Sequence, residues 1–342
     1  MMESLDVRHI TKRMPHHGAR AGYNQLLHHV PSNGIVWSSA TGAGRWANGV
    51  TRRMMRPLTG STWYGLAGTY AELRAAARAR LGSKCLVHVM YGEDLLGLSR
   101  VFLGSRHRLI ATFHQPPERF VQLVSWRIPS QLDAVIILDS AYEDWWRSQL
   151  TSPVYALSLG LDTEWWSSGG EPRRDRVIFV GSHLRDFSTL QAAVRHLGGR
   201  VGFDVVVPRD RANALRGWPG VTVHIGISDE ALRTLYRSAA VMFLPLRGAS
   251  ASNSLLQAMA CGCPVVATDL PSVRSCLGNE AGALAPLGDA EAHVRVLEKV
   301  LESPQRGVMS EAARRRGGFY SWMNVSRRHR EVYQQVLLMP RL

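Results

Sequence analysis

Short unbroken apolar runs alternate with amphipathic stretches along most of the chain, most cleanly in its second half. Val177-Ile-Phe-Val180, Asp204-Val-Val-Val207, Val221–Ile225, Val241-Met-Phe-Leu244, Val265-Val-Ala267 and Ala283-Leu-Ala285 read as strands. Phe187–Leu197 and Ala290–Leu301 carry helical periodicity. Ser228-Asp-Glu opens a further helix, running to Ser238, with an N-cap hydroxyl and two first-turn acids. The first half repeats the rhythm more loosely. Strands are expected at Val7–Ile10, Ile35–Trp37, Cys85–Val89, Leu109–Phe113, Ala134–Leu138 and Val154–Leu157. Helices are expected at Tyr64–Arg80, Glu118–Ile128 and Ala141–Ser148, and a last amphipathic helix at Phe319–Trp322 to Leu338. Continuous apolar strands separated by helices mean parallel sheets covered on both faces. The expected fold class is α/β, with two Rossmann-like, doubly wound domains at residues 1–158 and 159–320 facing across a cleft. Leu159–Pro172 is the expected linker, ending in Ser-Ser-Gly-Gly-Glu-Pro loop chemistry.

One stretch carries chemistry as well as pattern. Leu244–Thr268 reads as the end of a buried strand, a small polar loop, a helix opening at about Ser252, a Gly262-Cys-Pro264 stop and a second buried strand. The open amides and partial positive charge of such a helix start suit a phosphate, and a nucleotide-sugar pocket is the expectation. Ligands of open α/β sheets sit at the carboxyl ends of the strands.

Composition narrows the class. The chain has 342 residues, 45% apolar and 20% charged, which fits a folded two-domain protein and excludes a disordered one. No apolar run approaches the roughly 18 residues of a bilayer span, and Met1–Arg8 lacks the basic-then-apolar order of a secretory signal. The expected location is cytoplasmic. Cys261 and Cys263 are one residue apart, too tight for a zinc knuckle, so the four cysteines read as small buried apolar residues. The net charge is +14, and no Asp or Glu falls between Val7 and Ala71. Arg8, Lys12, Arg13, Arg20, Arg45, Arg52, Arg53 and Arg56 all lie there, so this half either attracts anions or is a solvated Arg-rich surface.

Four segments resemble one family. Leu159-Gly-Leu-Asp-Thr-Glu-Trp165, Val177-Ile-Phe-Val-Gly181, Val223–Tyr236 and Leu255-Leu-Gln-Ala-Met-Ala-Cys-Gly-Cys-Pro-Val-Val-Ala-Thr268 are similar to the signatures of GT-B glycosyltransferases of the large retaining class, which includes many bacterial polysaccharide and lipid glycosyltransferases. The resemblance implies transfer from a nucleoside-diphosphate sugar to a saccharide or lipid-linked acceptor, without metal or other cofactor. It also implies a helix at 321–342 that returns to the first domain, and peripheral contact with an anionic membrane at its inner face.

Breaking a sugar–phosphate bond leaves negative charge on the departing diphosphate, and stabilising it is the protein's main task. The resemblance points to Arg185 and the helix start at Ser252, Asn253 and Ser254 for that role, with Arg247 as helper. Gly18, Gly181, Ser182, Ile227, Leu255 and Gln257 complete the implied donor-binding set. Gly18 and Gly22 belong to a glycine-bearing loop expected on the first domain, where an ordinary strand-to-helix loop is the alternative. His114, just past an expected strand, is the second implied catalytic residue beside Arg185; a hydrogen-bonded structural histidine is the alternative. His16, His17, His28 and His29 form no metal-binding arrangement, and no metal ligands are expected.

Two departures stand out. The family's paired glutamates map onto Ala249 and Gln257, and Ser182 stands where an Arg is usual. Ser252-Asn-Ser254 resembles a subgroup with small polar residues there, so shifted donor specificity is one reading and a catalytically silent scaffold another. A nicotinamide dehydrogenase would need an acid about 20 residues beyond Gly42-Ala-Gly-Arg-Trp-Ala47, and none occurs before Glu72. The basic half, interleaved with Trp37, Trp46, Trp63 and Tyr64, raises a nucleic-acid-binding reading, but no such signature accompanies it, and no nucleic-acid partner is expected.

Overall fold

A computed structural model describes residues 6–12, 18, 20–38 and 44–340. Internal contacts divide the chain into two units. One holds Met1–Pro15, Tyr23–Gly160 and Met323–Leu342; the other holds His16–Gly22 and Leu161–Trp322.

The chain first forms β1 (Val7–Lys12), β2 (Gly34–Ser38), α1 (Gly44–Thr59), α2 (Leu66–Arg80), β3 (Leu86–Val89), α3 (Gly92–Leu95) and α4 (Ser99–Leu103). Next come β4 (Arg108–Phe113), α5 (Pro117–Leu123), β5 (Ala134–Ile137), α6 (Glu143–Gln149) and β6 (Val154–Ala156). These strands make one parallel sheet in the order β2-β1-β3-β4-β5-β6. Every residue of β3, β4 and β5 is buried, as a sheet covered on both faces requires.

The second unit runs β7 (Arg174–Val180), α7 (Phe187–Leu197), β8 (Gly202–Val206), α8 (Arg209–Ala212), β9 (Val221–His224), α9 (Asp229–Ser238) and β10 (Ala239–Leu244). It continues with α10 (Asn253–Ala260), β11 (Val265–Thr268), α11 (Pro271–Leu277), β12 (Gly282–Ala285), α12 (Ala290–Glu302) and α13 (Arg306–Gly318). Its parallel sheet has the order β12-β11-β10-β7-β8-β9. Val177, Phe179, Leu190, Phe203, Val241 and Phe243 anchor an apolar core between sheet and helices. Both sheets are Rossmann-like, and the architecture is that of a GT-B fold.

The last helix, α14 (Trp322–Leu338), packs with the first unit through a fully buried polar network. The Tyr333 hydroxyl meets His88 Nδ1 at 2.8 Å and His9 Nε2 at 3.3 Å. His88 Nε2 meets Thr112 Oγ1 at 2.8 Å, and the Tyr23 hydroxyl joins Thr112 Oγ1 (2.9 Å) to His329 Nε2 (2.8 Å). Burial favours the neutral ring. It holds His9 down at about 3 and His329 at about 4, and lowers His88 as well.

Some elements differ from expectation. The helix expected to reach Ile128 stops at Leu123, because Val124 turns extended and bridges Ser61. Leu159–Pro172 is no loose linker at its start: Leu159, Leu161 and Trp166 are buried, and Leu161 bridges Ser321. α1, α11 and α13 carry no apolar run that announces them. α13 buries only Ala312, Ala313 and Gly317, and a Cβ at Gly317 would come within 2.8 Å of the Ala260 backbone.

Candidate functional site

In the second sheet the strand order reverses between β7 and β10, and the loops leaving these two strands build the candidate site. After β7 the chain turns sharply. Gly181 has φ +95°, which suits glycine, and Leu184 holds φ +55°, a costly value for a branched side chain. The turn is fixed from the β10 side, where Arg247 donates its amide to Leu184 O (2.9 Å) and Asp186 donates its own to Pro245 O (3.0 Å).

The turn directs Arg185 inward. Its Nε donates to Val180 O at 2.9 Å, one terminal nitrogen to His183 O at 3.2 Å and the other to Ser254 Oγ at 2.8 Å. Three of its five N–H groups are thus engaged, and two remain for a ligand. Among the described residues no carboxylate lies within ion-pair distance of this guanidinium. Desolvation lowers its pKa to about 10, so it remains a cation at neutral pH. A half-buried cation without a counter-ion is poised for an anion.

α10 faces the same spot. Ser252 is its N-cap, as expected, with Oγ accepting from the Leu255 amide (3.3 Å) and lying 3.1 Å from Ser254 Oγ. The amides of Asn253 and Ser254, in the first turn, have no intrahelical acceptor. Arg185, Ser252, Asn253 and Ser254 therefore come together, with Gly181 and Ser182 in the adjoining turn.

The remaining expected residues are placed differently. Gly18 and Gly22, expected on the first domain, group with the second unit. Gly22 donates its amide to Asn253 Oδ1 at 3.2 Å, so this loop does reach the helix start. Arg20 pins it: its side chain pairs with Asp162 at 2.9 Å and its amide donates to Asp229 Oδ2 at 2.9 Å. A Cβ at Gly18 would lie 1.8 Å from the same Asp229 carboxylate, which would have to swing aside. Arg247 is exposed, 3.5 Å from Asp186. Ile227 lies half-buried in the loop before α9. Leu255 and Gln257 are buried, and Ala249 is buried with its carbonyl accepting from Ser272 Oγ at 3.3 Å. Residues 41–43, and with them the start of the Gly42–Ala47 motif, lie outside the described residues, as do His16 and His17.

In the first unit the order reverses between β1 and β3, and His114 directly follows β4. Its Nε2 lies 2.7 Å from Met90 O, and its ring stacks on Tyr91 at 4.6 Å and 13°. Its amide donates to Glu93 Oε1 at 2.5 Å. Burial pushes Glu93 up to about 7. Nothing in the sequence pattern singles out Glu93; only the folded path from β3 into α3 brings it to His114.

Among the described residues no group of His, Cys, Asp and Glu could hold a metal ion. Cys85, Cys261 and Cys263 are buried thiols, as expected, whereas Cys276 is partly exposed; burial pushes Cys261 up to about 12. No helix of the described residues is long and apolar enough to cross a membrane.

Residues 174–303 match the family described as Glycosyl transferases group 1. The chain is 27% identical over 305 residues to an MMP alpha-(1->4)-mannosyltransferase of Mycolicibacterium hassiacum, covering 77% of this chain and 74% of that one. It is 29% identical over 252 residues to a phosphatidyl-myo-inositol mannosyltransferase of Mycolicibacterium smegmatis, covering 67% of this chain and 65% of that one. Among solved structures, sucrose-phosphate synthase from Thermosynechococcus elongatus superposes with a TM-score of 0.73 at 16% identity, over 96% of this chain and 99% of that one. Together these findings identify a GT-B glycosyltransferase, and with it the need for a sugar donor and an acceptor.

Proposed function

We propose that this GT-B glycosyltransferase takes its sugar from a nucleoside-diphosphate sugar and holds the departing diphosphate between Arg185 and the start of α10. The observation that carries this reading is the half-buried Arg185 guanidinium, without a carboxylate partner, bonded to Ser254 at the helix start. Cation and open amides together offset two phosphate charges, the task a divalent metal would otherwise perform. Transfer is retaining and metal-independent in this reading. The acceptor hydroxyl gives its proton to the leaving phosphate oxygen, so no protein carboxylate serves as base. Both mycobacterial relatives are mannosyltransferases by name, which supports a mannosyl donor as the first to test.

The acceptor is a saccharide or lipid-linked saccharide, met at the inner face of a membrane. Met54, Leu66, Tyr70 and Leu81 are exposed on and beside α1 and α2, among Arg52, Arg53, Arg56, Arg74 and Arg78. Apolar side chains among cations suit an anionic lipid surface. Sedimentation with anionic against neutral vesicles tests it: equal recovery removes the membrane from the reading.

The donor site is tested by titrating UDP, GDP, ADP and CMP into the protein and into Arg185→Ala, following thermal stability and affinity. The variant is expected to lose about 1.5–3 kcal/mol of binding, the scale of a charged hydrogen bond. Unchanged nucleotide affinity would remove Arg185 from the site. Ala249 and Gln257 favour a second reading, a nucleotide-binding scaffold without turnover. The two part on one assay: only the transferase releases nucleotide from a sugar donor when acceptor is added.

A further inference from the structure

We propose that Glu93 is a positioning residue for the transfer reaction and acts through His114; this rests on the glycosyltransferase reading above and on His114 as a working residue in it. The argument begins with how His114 is held. Met90 O lies 2.7 Å from Nε2. A carbonyl only accepts, so Nε2 carries the hydrogen and Nδ1 is the basic nitrogen of the neutral ring. Tyr91 covers one ring face, and Tyr23 stands edge-on at 5.2 Å. The main chain is held from the same side. Glu93 Oε1 accepts the amides of His114 (2.5 Å) and Gln115 (2.9 Å). Residues 90–93 thus grip one histidine by its ring nitrogen, its ring face and its backbone. They come close because position 92 is glycine: a Cβ there would lie 2.6 Å from the Phe113 ring.

The choice of a carboxylate is the informative part. Glu93 is 1% exposed, and among the described residues no cation lies within ion-pair distance of it. The nearby Lys12 pairs instead with Asp94, at 2.6 Å. A buried carboxylate without a counter-ion is costly, and a neutral side chain such as Gln could accept these amides more cheaply. Burial raises Glu93 to about 7, so near neutral pH the ionised and neutral forms are both present, and the ionised form adds strength to both bonds at once. Rigidity at a reacting residue has kinetic value, since a displacement of about 1 Å can cost ~100-fold in rate.

The test uses Glu93→Gln, Glu93→Ala, His114→Gln and the Glu93→Gln/His114→Gln double variant in the full chain. Glu93→Gln is expected to fold as the parent does, to lower kcat by roughly 10- to 100-fold, and to leave the donor KM within about threefold. In the His114→Gln background the same change is expected to cost nothing further, the signature of two residues acting as one unit. A full additional loss in the double variant overturns the proposal. Independently of turnover, ring-nitrogen spectra of 15N-histidine-labelled protein are expected to show a single Nε2–H tautomer at His114, assigned by its absence in His114→Gln. That signal should shift and average in Glu93→Ala, or in Glu93→Gln if the alanine variant does not fold. An unmoved signal also overturns the proposal. Because the spectra need no substrate, Glu93 is judged even if no sugar donor turns over, in which case only the transfer reading fails.

Discussion

β10 of the second sheet is built only from Ala, Val, Met, Phe and Leu, and its neighbours β7 and β11 bury Val177, Phe179 and Val266 beside it. The corresponding strands of the first sheet, β1, β3 and β4, carry His9, Thr11, His88 and Thr112, all fully buried. The interior around β10 is held mainly by non-directional apolar contact, with a buried Thr268–His293 hydrogen bond on the next strand's side; the other is threaded by hydrogen bonds that converge on Tyr23, His329 and Tyr333. An apolar interior tolerates any partner of the right volume. A polar one accepts only a partner that satisfies each nitrogen and hydroxyl, and here α14 is that partner.

The contrast can be broken from either side. The largest effect is expected from Phe243→Ala, which removes a fully buried ring and should cost about 3–5 kcal/mol. Hydrogen exchange read by mass spectrometry should show the loss across the second unit, with β1, β3 and α14 unchanged. Equal loss in both would deny the units separate stability.

Acid acts on the other side. His9 and His329 stay neutral in the fold down to about 3 and 4, whereas the unfolded chain takes up protons below its ordinary 6.5. Their contribution is complete above pH 6.5 and is lost as pH falls from there toward 4 and 3. Burial raises Glu93 and Glu72 instead, which works the opposite way but only above their ordinary 4.5. Above 4.5 these carboxyls offset much of the histidines' loss, so the net loss of the first unit is expected mainly below 4.5, at about 1.4 kcal/mol per still-neutral histidine and pH unit. Exchange rates that rise in both units alike down to pH 4 would contradict the histidine account. The smallest effect, about 1–3 kcal/mol, is expected from Tyr333→Phe, which keeps the ring and strands His9 Nε2 and His88 Nδ1. Chemical denaturation with exchange at β1 and β3 as readout measures it, and an unchanged stability would show that these nitrogens find other partners.

The same contrast explains what was legible in the sequence. Val177–Val180, Val241–Leu244 and Phe187–Leu197 could be read because burial against a sheet leaves an apolar period. The Ser252 cap and the Gly262 stop, at φ +69°, could be read because helix ends demand particular residues. Arg185 could be named from resemblance alone; that it has no carboxylate partner among the described residues needed coordinates. His9, His88 and Glu93 left no trace, since a lone polar residue looks the same whether it faces water or a partner hundreds of positions away. The strand orders that set both reversal points are likewise invisible to local pattern, as is the grouping of Gly18 with the second unit, since chain order places it in the first.

Tyr333 reaches His9 across 324 positions of chain. During synthesis β1 emerges first and waits, its imidazole without the hydroxyl that accommodates it, while the whole of Leu161–Trp322 is made. That later unit has nearly all its own strands and helices in hand before α14 leaves the ribosome. The unit to which β1 belongs is therefore the one whose interior is completed last.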